Sequence, residues 1–529
     1  MDTGSACTGS QNGDRCLSRI SPGHHSKVDW RRRSVDIKQS APPALRFPNR
    51  RLAPKVGHSK PQLPCAKRFR SPYCRGMPCG NLANQRRIIP MTTASNVVNL
   101  AIIGCGGMGN RHLQGLAEYA RSVAGLPGHA IFDLIAVSDP NAKNAALLAD
   151  TALAEFGHRP AIFANPQAMF DAVPEIDAVD ITTEPRLHES LSVLCLRAGK
   201  HVLVEKPMAL TVAGCNAMMD AAHSANRVLA VAENYRFDPL VRLTKALLDA
   251  KAIGDPWMVV DASIGSGGQI IITPWRHKRL YGGILLDVGV HNVDLMRYYA
   301  GPVLEVSARV ALLDRVRKGL RPQGGGTGAP ASPGAIYAIT NANSGMPDTM
   351  EPDVEDTAFS TLRFEGGMIG QWTLSHAGHA QGFGRKQYWG SEGSMEPAPP
   401  RSGTGPRVWR DGSSHPLTPE EMLARVPDFT VDASTARLFG GERMASYHLD
   451  PVAIDCKIEA AVLSDFGRAI VTGTQPEVGG IEGRHAVAVV NALFESSHLN
   501  VPVLVADIEA DLPGVSAWQH AIDRDLAAG

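Results

Sequence analysis

The chain has 529 residues, 53 basic and 52 acidic, with 44% apolar side chains, which excludes a small stapled scaffold and leaves room for roughly two to four domains. The near balance hides a division: residues 1–90 hold 18 Lys and Arg against 4 Asp and Glu, leaving 35 against 48 for residues 91–529. So acidic a body disfavours nucleic acid as its partner, and the chain contains no apolar run of about 18 residues with which to span a membrane.

Residues 1–90 read as a disordered basic extension. Arginines cluster, as at Arg31, Arg32 and Arg33, prolines are scattered, and there is no apolar stretch of the kind that secretion or twin-arginine export requires. Met91, followed by a short polar lead and a buried strand, marks the segment as an upstream extension; an organelle transit peptide and a nucleic-acid-binding arm are the competing readings. Five of the nine cysteines lie in it. The other four, Cys105, Cys195, Cys215 and Cys456, are too sparse for a disulfide framework, so the body reads as a reduced, cytoplasmic protein.

From Met91 short apolar runs alternate with amphipathic ones: residues 97–103, 133–138, 178–183, 201–205 and 228–232. Strands separated by helical segments predict a doubly wound parallel sheet, an α/β domain over 91–234. Longer alternating strands follow at 257–265, 356–364 and 368–375, predicting an α+β domain with a mostly antiparallel sheet over 235–510 and a tail at 511–529. A Gly/Pro-rich stretch between Asp314 and Asp353 reads as a long loop, and Glu396–Pro419 as a second irregular one.

Three sites carry chemistry. Gly104, Gly106 and Gly109, with Met108 between them, form G-x-G-x-x-G after the first strand and at the start of a helix, a cradle for a dinucleotide pyrophosphate. Asp139 closes the second strand, where its carboxylate would accept the adenosine ribose hydroxyls and repel a 2′-phosphate, favouring NAD over NADP. It stands 30 positions after Gly109, about ten more than usual, and the excess falls in residues 121–131. Glu205, Lys206 and Pro207 end the strand at 201–205, placing a lysine at the carboxyl edge of the sheet, where it would stabilise charge on a reacting oxygen. In residues 282–299, Asp287 and His291 are four apart and predicted to share a helix face, a carboxylate orienting a general base. A structural contact is the equally simple reading, and without further ligands at suitable spacing no metal site is expected.

Together, in this order, these motifs resemble the Gfo/Idh/MocA oxidoreductases across residues 96–505, including TTEPRLH (182–188), AGKHVLVEKPMALT (198–211), ENYRFDP (233–239) and GGILLDVGVHNVD (282–294). The resemblance implies an N-terminal Rossmann domain followed by a C-terminal domain with a large open sheet, whose outer face would mediate homo-oligomerisation. It implies that Lys206, Asp287 and His291 are catalytic and that Thr183, His188 and Glu205 lie near the nicotinamide. The expected activity is hydride transfer between NAD, or NADP, and a secondary alcohol or ketone of a sugar, glycoside or cyclitol. An NAD-dependent glycosidase using transient oxidation and a non-catalytic nucleotide sensor are the alternatives. For the substrate, Tyr235, Trp275 and Tyr281 offer faces for a pyranose ring. Arg276 and His277, in the basic run 274–279, would meet an anionic group, although a solvated loop is the simpler reading of that run.

Overall fold

A computed structural model describes residues 96–319 and 346–528. The 1–90 extension and most of the 314–353 loop therefore lie outside the described residues. Six strands, β1 (Val97–Ile103), β2 (Ile131–Ser138), β3 (Ala161–Phe163), β4 (Ala178–Ile181), β5 (His201–Glu205) and β6 (Leu229–Ala232), pair in parallel in the order β3-β2-β1-β4-β5-β6. Helices cover both faces, so successive residues of β1 from Leu100 to Ile103 are all buried, which is why the strand is a continuous apolar run. The order reverses between β1 and β4, and a crevice opens beyond their carboxyl ends.

The second sheet has eight strands. After β7 (Pro256–Ser266) and β8 (Val303–Ala311) comes a separate ribbon of β9 (Arg317–Lys318) and β10 (Thr349–Met350); then β11 (Thr357–Phe364), β12 (Ile369–Gly378), β13 (Phe383–Gly390), β14 (Gly393–Glu396), β15 (Arg407–Arg410) and β16 (Val503–Leu504). The order is β15-β14-β13-β7-β12-β11-β8-β16, and only β7 and β12 run parallel. Leu362, Phe364, Trp372 and Leu374 face inward, while Phe359 and Ile369 stay exposed on the outer face.

The later part of the chain returns to the first sheet. Helix Pro451–Thr472 packs on helix Gly107–Ser122, where Arg111 pairs with Asp455 at 3.1 Å and Glu459 at 2.9 Å. Val231 of β6 donates to the carbonyl of Val478 at 2.9 Å. Residues 511–529, expected as a tail, include the docked helix Ala517–Ala528: Trp518 stacks on Phe494 at 4.2 Å, and Gln519 Oε1 accepts from Val212 N at 3.1 Å. The polar spacing of that segment masked its anchors, one aromatic and one amide.

Candidate active site

The loop after β1 is built by steric necessity. Gly104 has φ +99°, a region that L side chains avoid, and a Cβ on Gly109 would lie 2.1 Å from the Gly104 carbonyl oxygen. A Cβ on Gly106 would meet nothing within 4 Å, because this residue borders a cavity of about 630 Å³. Helix Gly107–Ser122 begins there without a side-chain cap, so its amide end and positive dipole border the same space. Asp139 reaches the cavity from the end of β2. Its Oδ2 accepts from Cys105 N and its Oδ1 from Asn141 N, each at 2.7 Å, while burial pushes its pKa up. The residues that delay Asp139 form the loop 123–130, with Gly125 and Gly128 in left-handed turns. A close-approach glycine, a helix N-terminus and a carboxylate facing one crevice fit a dinucleotide: Gly104, Gly106, Met108 and Gly109 would hold the pyrophosphate and Asp139 the ribose.

At the other end of the cavity, Lys206 emerges from β5 through a cis Lys206–Pro207 peptide. Its Nζ donates to the Asp287 carbonyl at 2.7 Å and to Asp287 Oδ1 at 2.9 Å. Arg276 Nη1 donates to the same Oδ1 from a buried position. Burial works against the Asp287 charge, but Arg276 and Lys206 outweigh it and hold this carboxyl far below the usual carboxylate range. The π-helical turn Leu285–Gly289 carries Asp287, and helix Val290–Ala300 carries His291.

Asp287 and His291 do not pair, which corrects the expected contact between them. Two cations claim the aspartate, and His291 takes its carboxylate from Glu233 at the end of β6, Nδ1 lying 2.7 Å from both Oε1 and Oε2. Tyr235 stacks on the imidazole at 4.1 Å and 11°. Burial lowers the His291 pKa; Glu233 raises it, Lys206 lowers it, and the net direction is down. His291 Nε2 has no hydrogen-bond partner among the described residues.

A second polar network underlies the loop and the lysine. His112 Nδ1 lies 2.9 Å from Asp180 Oδ2, and Nε2 lies 3.1 Å from Glu205 Oε1, all within the core. Burial alone would strip its charge, yet Asp180, Glu459 and Glu205 raise its pKa well above the ordinary value. Burial raises Glu205, but His112 and Lys206 bring it down to about 2. Glu205 Oε2 accepts from Lys206 N at 2.9 Å, tying this network to the turn that presents the lysine.

Thr183, Glu205, Lys206, Trp275, Arg276 and Asp287 all line the cavity. His188 does not: it is fully buried behind the lining, with Nδ1 2.7 Å from the Pro207 carbonyl and Nε2 3.2 Å from that of Thr183. The start of helix His188–Arg197 turns it inward, where it braces both loops. His277 is likewise buried, its Nε2 accepting from Ile271 N at 2.9 Å, so it meets no anionic group in the cavity. Nor is 274–279 a solvated loop at its centre, because Arg276 is buried against Asp287 and lies 4.6 Å over Trp275. Tyr281 stands 6.0 Å from Trp275 and under Arg186. Tyr235 lies against His291, and neither residue is on the lining of the main cavity. The sequence motifs do not single out Glu233 as the partner of His291; its place directly after β6, comparable to Glu205 at the end of β5, is the available signal.

This fold and site define an oxidoreductase that uses a nicotinamide dinucleotide. The family model described as oxidoreductase family, NAD-binding Rossmann fold, matches residues 98–233, and the GFO/IDH/MocA C-terminal domain matches 241–396. The chain belongs to the Gfo/Idh/MocA oxidoreductase family, and its cofactor is NAD. It is 28% identical to the levoglucosan dehydrogenase of Pseudarthrobacter phenanthrenivorans over 310 residues, 56% of this chain and 73% of that protein. It is 26% identical to inositol 2-dehydrogenase 2 of Saccharopolyspora erythraea over 273 residues, 51% of this chain and 65% of the relative. A solved levoglucosan dehydrogenase in complex with NADH shares the fold, with a TM-score of 0.60 at 23% identity over 77% of this chain and 99% of that one.

Proposed function

We propose that this oxidoreductase acts on a secondary alcohol of a sugar, glycoside or cyclitol, or on the matching ketone in reverse. The observation that carries the reading is Lys206, whose ammonium stands on the wall of the cavity that the glycine loop opens, oriented by two bonds to Asp287. An ammonium has three protons, and the third remains for a substrate oxygen. Lys206 would hold that oxygen and favour its negative charge as the proton leaves. His291 Nε2 would accept the proton while Nδ1 donates to Glu233, whose charge favours the imidazolium formed. The bound nicotinamide supplies the hydride acceptor or donor, the one piece of chemistry that side chains lack. Thr183, Glu205 and Lys206 are the residues we assign to its neighbourhood.

Trp275 and Arg276, adjacent on the same wall, suit a ligand with an apolar ring face and polar edges. The names of the relatives, levoglucosan and inositol dehydrogenases, support the same class. Following reduced-nicotinamide absorbance over a panel of sugars, anhydrosugars and inositols, with wild type and Lys206→Ala, tests the assignment. Turnover by wild type alone is expected; an undiminished Lys206→Ala rate overturns the role of the lysine, and glycoside cleavage without net reduction identifies the glycosidase alternative.

Two further assignments accompany this function. Trp257, Met258, Phe359, Ile369 and Phe383 are exposed on the second sheet and support self-association, which light scattering on the purified chain would measure. Cys105, Cys195, Cys215 and Cys456 are all free, which supports a cytoplasmic setting. Among the described residues no helix is long and apolar enough to cross a membrane.

A further inference from the structure

We propose that Arg401 is a positioning residue of this site: its guanidinium clamps the Tyr235 ring, and that ring holds His291 in the orientation that keeps Nδ1 on Glu233 and leaves Nε2 without a protein partner among the described residues. The contacts form a continuous series. Arg401 Cζ lies 5.1 Å from the Tyr235 ring centroid, and Tyr235 stacks on the imidazole at 4.1 Å. Arg401 is itself fixed from three sides. Its backbone N donates to Asp238 Oδ2 at 2.9 Å, Nη2 donates to Asn234 Oδ1 at 2.8 Å, and Nη1 lies 3.5 Å from Asp455. Tyr447 also donates to Asp238 Oδ2, at 2.8 Å, closing the pocket around the anchor.

The backbone adds an independent sign. Arg401 has φ +61°, a left-handed conformation that is unfavourable for a residue with a side chain and persists only where its surroundings enforce it. The segment lies beyond residue 396, where the C-terminal family match ends, so the clamp comes from a stretch that the family model does not describe.

The inference rests on reading His291 as the base. The groups facing it are Glu233, Lys206, Arg401 and the Tyr235 phenol; Asp294, paired with Arg236, is close enough to Glu233 for the two charges to interact. After burial, the Lys206 and Arg401 cations disfavour a protonated imidazole, and Glu233 opposes them. Arg401 thus has two effects: its contact holds the Tyr235 ring, and its charge, acting through space, favours the neutral imidazole that can accept a proton.

The test compares full-length wild type with Arg401→Gln, Arg401→Lys and Tyr235→Leu. Nuclear magnetic resonance of the histidine ring protons in cofactor-free protein, with His291→Gln for assignment, follows the His291 titration directly; the pH profile of kcat/KM follows its use. Arg401→Gln is expected to move the His291 midpoint and the acid limb upward together by about half a pH unit or more, with Arg401→Lys restoring much of the shift. Tyr235→Leu is expected to lower kcat severalfold with little change in KM for the dinucleotide. An unmoved midpoint in folded Arg401→Gln overturns the proposal, and should that variant not fold, an unaltered kcat in Tyr235→Leu does so instead. Absence of turnover in wild type would count against the proposed function, while the cofactor-free titration would still judge Arg401.

Discussion

His291 meets Glu233, 58 positions earlier in the chain, at 2.7 Å, and the two side chains are buried together where β6 ends against helix Val290–Ala300. This pair makes the imidazole directional: with Nδ1 bound, Nε2 alone can serve the reaction. Glu233→Gln keeps the shape and removes the charge. The imidazolium loses its stabiliser, so the His291 pKa falls, the acid limb of kcat/KM moves to lower pH, and kcat drops about tenfold to a hundredfold, less than most of the roughly 10²–10⁴ that a whole general base contributes. Steady-state rates across pH check both effects.

Asp287 neutralises two cations, and its variants should separate structure from chemistry. Asp287→Ala leaves Arg276 and Lys206 facing each other without an anion and is expected to cost about 3–5 kcal/mol of stability, measurable by chemical denaturation. Lys206→Ala leaves the Arg276–Asp287 pair intact, so the fold should hold while turnover falls by roughly 10²–10³ or more.

Two glycines of the loop predict different phenotypes, one losing stability and cofactor affinity together and the other affinity alone. Gly109→Ala drives a methyl against the Gly104 carbonyl and should lower stability by about 1–3 kcal/mol as well as weaken NADH binding. Gly106→Ala has space in the protein alone, so thermal unfolding should be unchanged while NADH affinity, read by fluorescence titration, falls about tenfold.

The His112 network predicts a pH dependence with two ends. Glu205 is held at about 2 in the fold against an ordinary 4.5, so its contribution is complete above 4.5 and is lost as pH falls toward 2. His112 is raised, so its contribution is complete below 6.5 and is lost as pH climbs through the elevated folded value. His112→Ala leaves Asp180 without its cation and Glu205 with only its more distant ones, and should cost about 3–5 kcal/mol near neutrality, with the deficit shrinking in acid as those carboxyls protonate. Denaturant midpoints measured at several pH values would show it.

The cofactor half was legible because a sheet covered on both faces forces uninterrupted apolar runs, and because a turn that approaches a phosphate requires glycine at set positions. Strand β3, three residues at the sheet edge and mostly exposed, leaves no such mark. Lys206 was visible from its place after a strand, as Asp287 was from its motif. The partner of His291 was not, since helical spacing favours the nearby Asp287 and carries no trace of Arg276 approaching from another segment. Arg276 itself sits in a run whose hydrophilic composition suggests solvent, and only tertiary packing buries it.

The contact between Arg111 and Asp455 spans 344 positions. On a ribosome adding about 5–20 residues per second, the first helix would wait tens of seconds for the helix that covers it. During synthesis the dinucleotide half would expose an unfinished flank, making nascent chains of this enzyme natural clients for chaperones until the later helices emerge.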